Sequence, residues 1–248
     1  MKLSYSSKSD IGLVREVNQD RWTHVNCDWG DLFVVADGLG HKDGGQFASQ
    51  TIVNLFKEKF SEKDPGEIPG FLRHTIEEAN TIIHHQKMNE YSGAMMGSTC
   101  VALVIQGNNA YIAHVGDSRI YHLHGSKLTQ LTKDHSLVQR MVDDGLISKE
   151  QAEKHPNKNV LTEAVGAEPE VNVEARQEPL RLTSGDKFLL CSDGLWGLVS
   201  HDDLYEILSR EKPETATDRF IDLAKQNGGY DNITAQVIHF KTSEGSSG

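Results

Sequence analysis

Apolar positions along the chain change period repeatedly, and each change predicts a different kind of element. Leu32-Phe33-Val34-Val35-Ala36 is a short, unbroken apolar run. That is the pattern of a strand covered on both faces, here one that delivers Asp37 and Gly38 at its end. Between Gly45 and Phe60, Phe47, Ile52, Leu55, Phe56 and Phe60 recur at helical spacing, and Phe71, Leu72, Ile76, Ala79, Ile82 and Ile83 do the same between Ile68 and Asn89. Two amphipathic helices follow. The middle of the chain shifts to short β-prone runs at 99–105, 110–115, 119–123 and 127–131, parted by Gly-Asn-Asn, Gly-Asp-Ser and His-Gly-Ser. Turns this close predict an antiparallel meander.

A more polar stretch covers about 134–166, with weak helical patterns near 137–146 and 148–155, and reads as a surface excursion. Beyond it, 187–191 reads as a strand, 202–209 and 213–226 as helices, and 233–240 as a closing strand. Antiparallel strands with helices in separate blocks argue for an α+β fold. Apolar clusters run from Leu13 to Phe240 without an internal repeat or low-complexity linker. The expectation is one domain over residues 1–242, with a disordered tail at 243–248.

Charge narrows the partners. Lysine plus arginine number 25 against 36 aspartate plus glutamate, a formal net charge of -11 over 248 residues, so neither a nucleic acid nor an anionic membrane is expected to bind. The same acidity suits a site whose carboxylates stay unbalanced until divalent cations arrive. Cys27, Cys100 and Cys191 are odd in number and widely spaced, which fits neither a disulfide framework nor a zinc cluster and suggests a reducing compartment. Without a long apolar run for secretion or membrane crossing, a cytoplasmic protein is expected.

Four segments repeat one feature, an aspartate beside glycine or asparagine next to a β-prone run: Asp37-Gly38, Gly116-Asp117-Ser118, Asp193-Gly194 and Gly229-Tyr230-Asp231-Asn232. Such pairs are common turn formers taken singly. Taken together, short aspartates at strand ends offer the oxygen ligands that magnesium and manganese require. Asp20 lies just after Arg15-Glu16-Val17-Asn18-Gln19, and a guanidinium that forks onto two phosphate oxygens is what a phosphoester site needs beside its metals. A thiol nucleophile is disfavoured: Cys191 ends an apolar strand pattern, and the chain has no Cys-x5-Arg, Walker A or His-Glu-x-x-His pattern.

In order along the chain, Arg15 with Asn18-Gln19-Asp20, Val35-Ala36-Asp37-Gly38-Leu39-Gly40, Val115-Gly116-Asp117-Ser118-Arg119, Leu190-Cys191-Ser192-Asp193-Gly194-Leu195 and Asp231-Asn232-Ile233-Thr234 resemble the metal-dependent protein phosphatase family, type 2C. The excursion from Leu131-Thr132-Lys133-Asp134-His135-Ser136 to Gly166 is similar to the flap of its bacterial branch. The resemblance implies an α-β-β-α sandwich, two antiparallel sheets flanked by helices, that hydrolyses phosphoserine and phosphothreonine with two or three Mn2+ or Mg2+ ions. It implies that Asp37 bridges two metals, that Asp193 and Asp231 complete one, that Gly38 offers its carbonyl to the other, and that Asp20 binds through water. Asp117 matches a third metal position shared with Asp193, Arg15 the phosphate-binding arginine, and Asn232 a support for Asp231.

Two positions depart from the family pattern. Leu39 stands where eukaryotic relatives place a histidine proposed as general acid, which leaves His41 as the nearest candidate, and Glu163 stands where an arginine is common. Phosphorylated proteins, substrates of a serine/threonine kinase, are the expected partners of an expected monomer. The competing readings are a two-metal hydrolase of another phosphoester and a phosphatase-like regulatory module without turnover. Manganese-dependent phosphate release separates them.

Overall fold

The structure is a computed structural model that describes residues 2–40, 43–62, 66–90 and 95–242. The expected tail at 243–248 lies outside the described residues. The N-terminal half runs β1 (Lys2–Asp10), β2 (Asp20–Cys27), β3 (Gly30–Gly40), α1 (Gly44–Glu62), α2 (Ile68–Glu90), β4 (Met96–Ser98), β5 (Cys100–Gln106) and β6 (Asn109–Val115). It continues through β7 (Arg119–His124), β8 (Lys127–Gln130), α3 (Leu137–Asp143), α4 (Lys149–Glu153), β9 (Glu174–Ala175) and β10 (Leu180–Arg181). The chain then closes with β11 (Lys187–Cys191), α5 (Asp193–Trp196), α6 (His201–Arg210), α7 (Pro213–Gln226) and β12 (Ile233–Lys241).

Two antiparallel sheets result, one ordered β1-β12-β11-β7-β8 and the other β10-β6-β5-β3-β2, with β4 on β3 and β9 on β6. The unbroken apolar run of β3 divides its side chains by strand alternation. Leu32, Val34 and Ala36 pack toward α1 and α2, while Phe33 and Val35 join Leu103, Ile120, Phe188 and Leu190 in the layer between the sheets. A third layer seats Phe220, Ile221, Leu204 and Leu208 of α6 and α7 on β11 and β12. The expected α-β-β-α sandwich is therefore the observed architecture.

Two details differ from the sequence reading. The four runs of the predicted meander do not share a sheet: β5 pairs with β6, β7 pairs with β8, and Gly116-Asp117-Ser118 carries the chain across from one sheet to the other. Gly116 has φ +93, and a Cβ there would lie 2.7 Å from Thr99, so only glycine fits this crossing. Period-2 alternation identifies a strand but not its neighbour, and both sheets are antiparallel. Nor does β3 stop at Ala36; it runs on to Gly40 because β4 pairs with the extension at Gly38↔Ser98.

The surface excursion is real and short-helical. Ser136 caps α3 and Ser148 closes a capping box on α4. Its two ends are tied down by bridges, Ser136↔Leu161 at the base and Ser98↔Val165 against β4.

Candidate metal centre

Asp20 opens β2 directly opposite Asp37 on β3, so register alone sets two carboxylates side by side. Asp20 is 2% exposed. Its Oδ2 accepts hydrogen bonds from Ser192 Oγ at 2.7 Å and Thr234 Oγ1 at 2.6 Å, both from the opposite sheet. Its Oδ1 is buried without a hydrogen-bond partner.

Asp37 is held through its backbone. Its N–H donates to Thr99 Oγ1 at 3.1 Å, and its carbonyl accepts from Thr99 N and Ser98 Oγ, both at 2.9 Å. Thr99 Oγ1 lies 2.6 Å from Ser118 Oγ, which links this support to the residue after Asp117. A Cβ on Gly38 would sit 2.2 Å from the Gly45 carbonyl oxygen. Glycine is needed here so that the start of α1 can approach β3.

Asp193 begins α5, two residues past the end of β11, and its Oδ1 is likewise buried and unpaired. Asp117 is 4% exposed, and its carbonyl accepts from Trp196 Nε1 at 2.9 Å. Asp231 is forked by Arg15, Nε to Oδ1 at 2.8 Å and Nη2 to Oδ2 at 2.7 Å. The Asn232 N–H also donates to Asp231 Oδ1 at 2.8 Å. The Asn232 side chain donates to the carbonyls of Ile11 and Val17 and accepts from Gln19 N, which fixes the loop that carries Arg15.

These carboxylates act on one another. Burial pushes the Asp37 carboxyl well above the ordinary range, and Asp20, Asp193, Asp117 and Asp231 push it further. Asp117 is raised well above normal by burial, then by Asp193 and Asp134. Burial raises Asp20 against the hydroxyl bonds that oppose it, and burial with Asp231 and Asp20 moves Asp193 up to about 6. Asp20 and Asp193 both act electrostatically on Asp37, Asp20 from the position directly opposite it across β2 and β3. Clustered carboxylates with unpaired buried oxygens call for added positive charge, and an all-oxygen donor set fits magnesium or manganese.

The structure thus brings Asp20, Asp37, Asp117, Asp193 and Asp231 into one electrostatic neighbourhood, with Gly38 on the same strand as Asp37. Arg15 is present, but its fork grips Asp231. His41 lies outside the described residues. His135, at the start of the flap, is 8% exposed, with its Nδ1 accepting from Gly116 N at 3.2 Å. Cys191 is fully buried and its thiol is pushed up by that burial, so it is inert.

Sequence reasoning missed Ser192, Thr234, Thr99 and Ser118. Each adjoins a β-prone run close to one of the acidic residues, and that adjacency was the available signal. Beside the centre, Arg119 bonds Asp134 through Nε at 3.0 Å and Nη2 at 2.7 Å, and its guanidinium lies 3.5 Å over the Trp196 ring. These residues, with Val138 of the flap and His201, line a cavity of about 610 Å³.

Comparison with known proteins identifies the family. The family model described as Protein phosphatase 2C matches residues 14–235. The serine/threonine phosphatase stp of Listeria monocytogenes is 38% identical over 237 residues, covering 93% of each chain. The structure of the S. agalactiae serine/threonine phosphatase superposes with a TM-score of 0.90 at 32% identity, covering 97% of this chain and 100% of the other. The catalytic domain of the serine/threonine protein phosphatase PstP in complex with two manganese ions superposes with a TM-score of 0.84 at 33% identity, covering 97% and 99%. With a family match across nearly its whole length and relatives of this similarity, the chain belongs to the protein phosphatase 2C family.

Proposed function

We propose that the chain is a metal-dependent protein serine/threonine phosphatase in which Asp20, Asp37, Gly38, Asp117, Asp193 and Asp231 hold Mn2+ or Mg2+. One observation carries the assignment of residues: aspartates from five separate segments meet at one edge of the sandwich, with Asp20 Oδ1 and Asp193 Oδ1 buried and unpaired. Bound divalent cations supply a water of lowered pKa and offset charge on the phosphoryl oxygens.

The chain's own groups do the rest. Asp37 would be the ligand shared between ions, with Asp193 and Asp231 helping to hold one of them, the Gly38 carbonyl the other, and Asp117 with Asp193 a third. Arg15 spends two N–H groups on Asp231, and its remaining donors orient the phosphoryl group. The fork therefore couples substrate binding to a ligand. Leu39 has no proton to give, so the leaving alkoxide takes its proton from another donor, His41 being nearest in sequence.

Residues 1–242 form one catalytic domain, with residues 134–166 as a flap that meets phosphoprotein substrates. Among the described residues no helix is long and apolar enough to cross a membrane. The net charge of -11 disfavours anionic membranes and nucleic acid as partners, and our reading is of a cytoplasmic, monomeric enzyme that opposes a serine/threonine kinase. The test compares phosphothreonine peptide, phosphotyrosine peptide and nucleotide side by side, with manganese and with chelator. Chelator-sensitive release from the phosphothreonine peptide above the others is expected, and peptide binding without release overturns the assignment.

A further inference from the structure

We infer that His122, His124 and Asp186 form a second cation site, for a zinc-class divalent ion, at the end of the sheet remote from the aspartate centre. His122 and His124 stand two residues apart on β7 and so face the same side of it. Asp186 directly precedes β11, the neighbouring strand. The position is distal by register: β11 pairs with β7 from Cys191↔Arg119, at the aspartate end, to Lys187↔Leu123 at the other. At about 3.3 Å per residue this spans on the order of 13 Å.

The ligand atoms of the three residues all lie within 4.8 Å of one another. His124 Nδ1 is 2.7 Å from Asp186 Oδ1, and His122 Nε2 is 3.5 Å from Asp186 Oδ2. Zinc bonds of about 2.0–2.2 Å in a tetrahedral arrangement place neighbouring ligand atoms roughly 3.3–3.5 Å apart, so closure of the site changes ligand separations by at most about 1.5 Å. His122 supplies an independent sign of a ligand. It is 7% exposed, and its Nε2 is buried with no hydrogen-bond partner although it faces a carboxylate.

The surroundings pre-position the donors. Thr183 N donates to Asp186 Oδ2 at 2.8 Å, and the His122 ring stacks on Phe188 with centroids 4.7 Å apart. Supports of this kind orient metal ligands. Burial lowers the pKa of His122, which favours the neutral imidazole that binds metal. His124, with its side chain 61% exposed, gives an ion access from solvent. Two imidazoles with one carboxylate select zinc-class ions, whereas the all-oxygen aspartate centre selects magnesium or manganese. An ion here clips the β7–β8 hairpin to the turn at 183–186.

The test is equilibrium dialysis with Zn2+ in excess magnesium, on wild type, H124A and D37N. Wild type and D37N are expected to retain one equivalent that H124A binds at least about 100-fold more weakly, since even losing an outer partner costs 10–100-fold. Equal zinc binding by wild type and H124A, as from an ion held instead at His114, His135 and Glu174, overturns the inference, as does loss of that equivalent in D37N. Histidine ring resonances followed by NMR give a readout that needs no variant. Shifts of His122 and His124 on zinc addition are expected, and unmoved signals overturn the site.

Discussion

A single charge at the bridging position decides whether cations stay. Asp37→Asn keeps the volume and the backbone bonds to Ser98 and Thr99 but removes one of the clustered negative charges that the cations answer. We expect unchanged far-UV circular dichroism and at least about 100-fold less manganese-dependent turnover, since the effect should exceed the 10–100-fold typical of outer groups. Ser192→Ala tests one such outer group. It removes one of the two hydroxyl bonds to Asp20 Oδ2, so the manganese needed for half-maximal activity should rise about 10–100-fold, with maximal turnover largely kept. An unchanged metal titration would mean that Thr234 alone positions Asp20. Asp37, Asp117, Asp193 and Asp231 were readable because each stands by a glycine or asparagine at a strand end, and Asp20 because it follows Arg15 closely. The hydroxyls were not, because serine and threonine are common everywhere and only the fold shows which ones face Asp20.

At the scale of elements, the flap is fastened to the scaffold by Arg119. Asp134 is almost buried, its side chain 8% exposed, and removing the guanidinium leaves that carboxylate unpaired. Arg119→Ala should therefore cost about 3–5 kcal/mol in urea unfolding, the range for breaking a buried pair. Arg119→Lys should recover only part of it, because an ammonium neither forks nor stacks on Trp196 as a guanidinium does. Equal stability of the two variants would mean that charge alone holds the flap base. The long periodic elements β3, α1 and α2 were legible in the sequence because their apolar spacing is continuous. β1 was not, because Lys2–Asp10 is an edge strand of mostly polar residues, paired only with β12, and its strand character comes from that partner.

For the whole molecule, the carboxylate cluster makes metal binding a stability effect. Groups whose folded pKa lies above the unfolded value stabilise fully below the unfolded pKa, and that contribution fades as pH rises through the folded one. Asp193, raised to about 6, and Asp20 and Asp37, raised with it, should thus destabilise the metal-free protein as pH climbs from about 4 past 6. His239, pushed down to about 4 by burial, changes in the opposite sense, so the clean measurement is the melting temperature with manganese minus that with chelator. This difference should grow between pH 5 and 7. Manganese at about 100 times its dissociation constant should add ~2.7 kcal/mol. A difference that is flat with pH would mean that protons and cations do not compete for the same oxygens.

Asp20 rides on one sheet and takes both of its hydroxyl bonds from the other. Slippage between the two layers therefore parts donor from acceptor before water wets the apolar seam of Phe33, Phe188 and Leu190. Turnover should fade at lower urea than the far-UV signal does, and coincident midpoints would mean that the layers come apart in one step. The enzyme carries at its reactive edge a gauge of its own alignment.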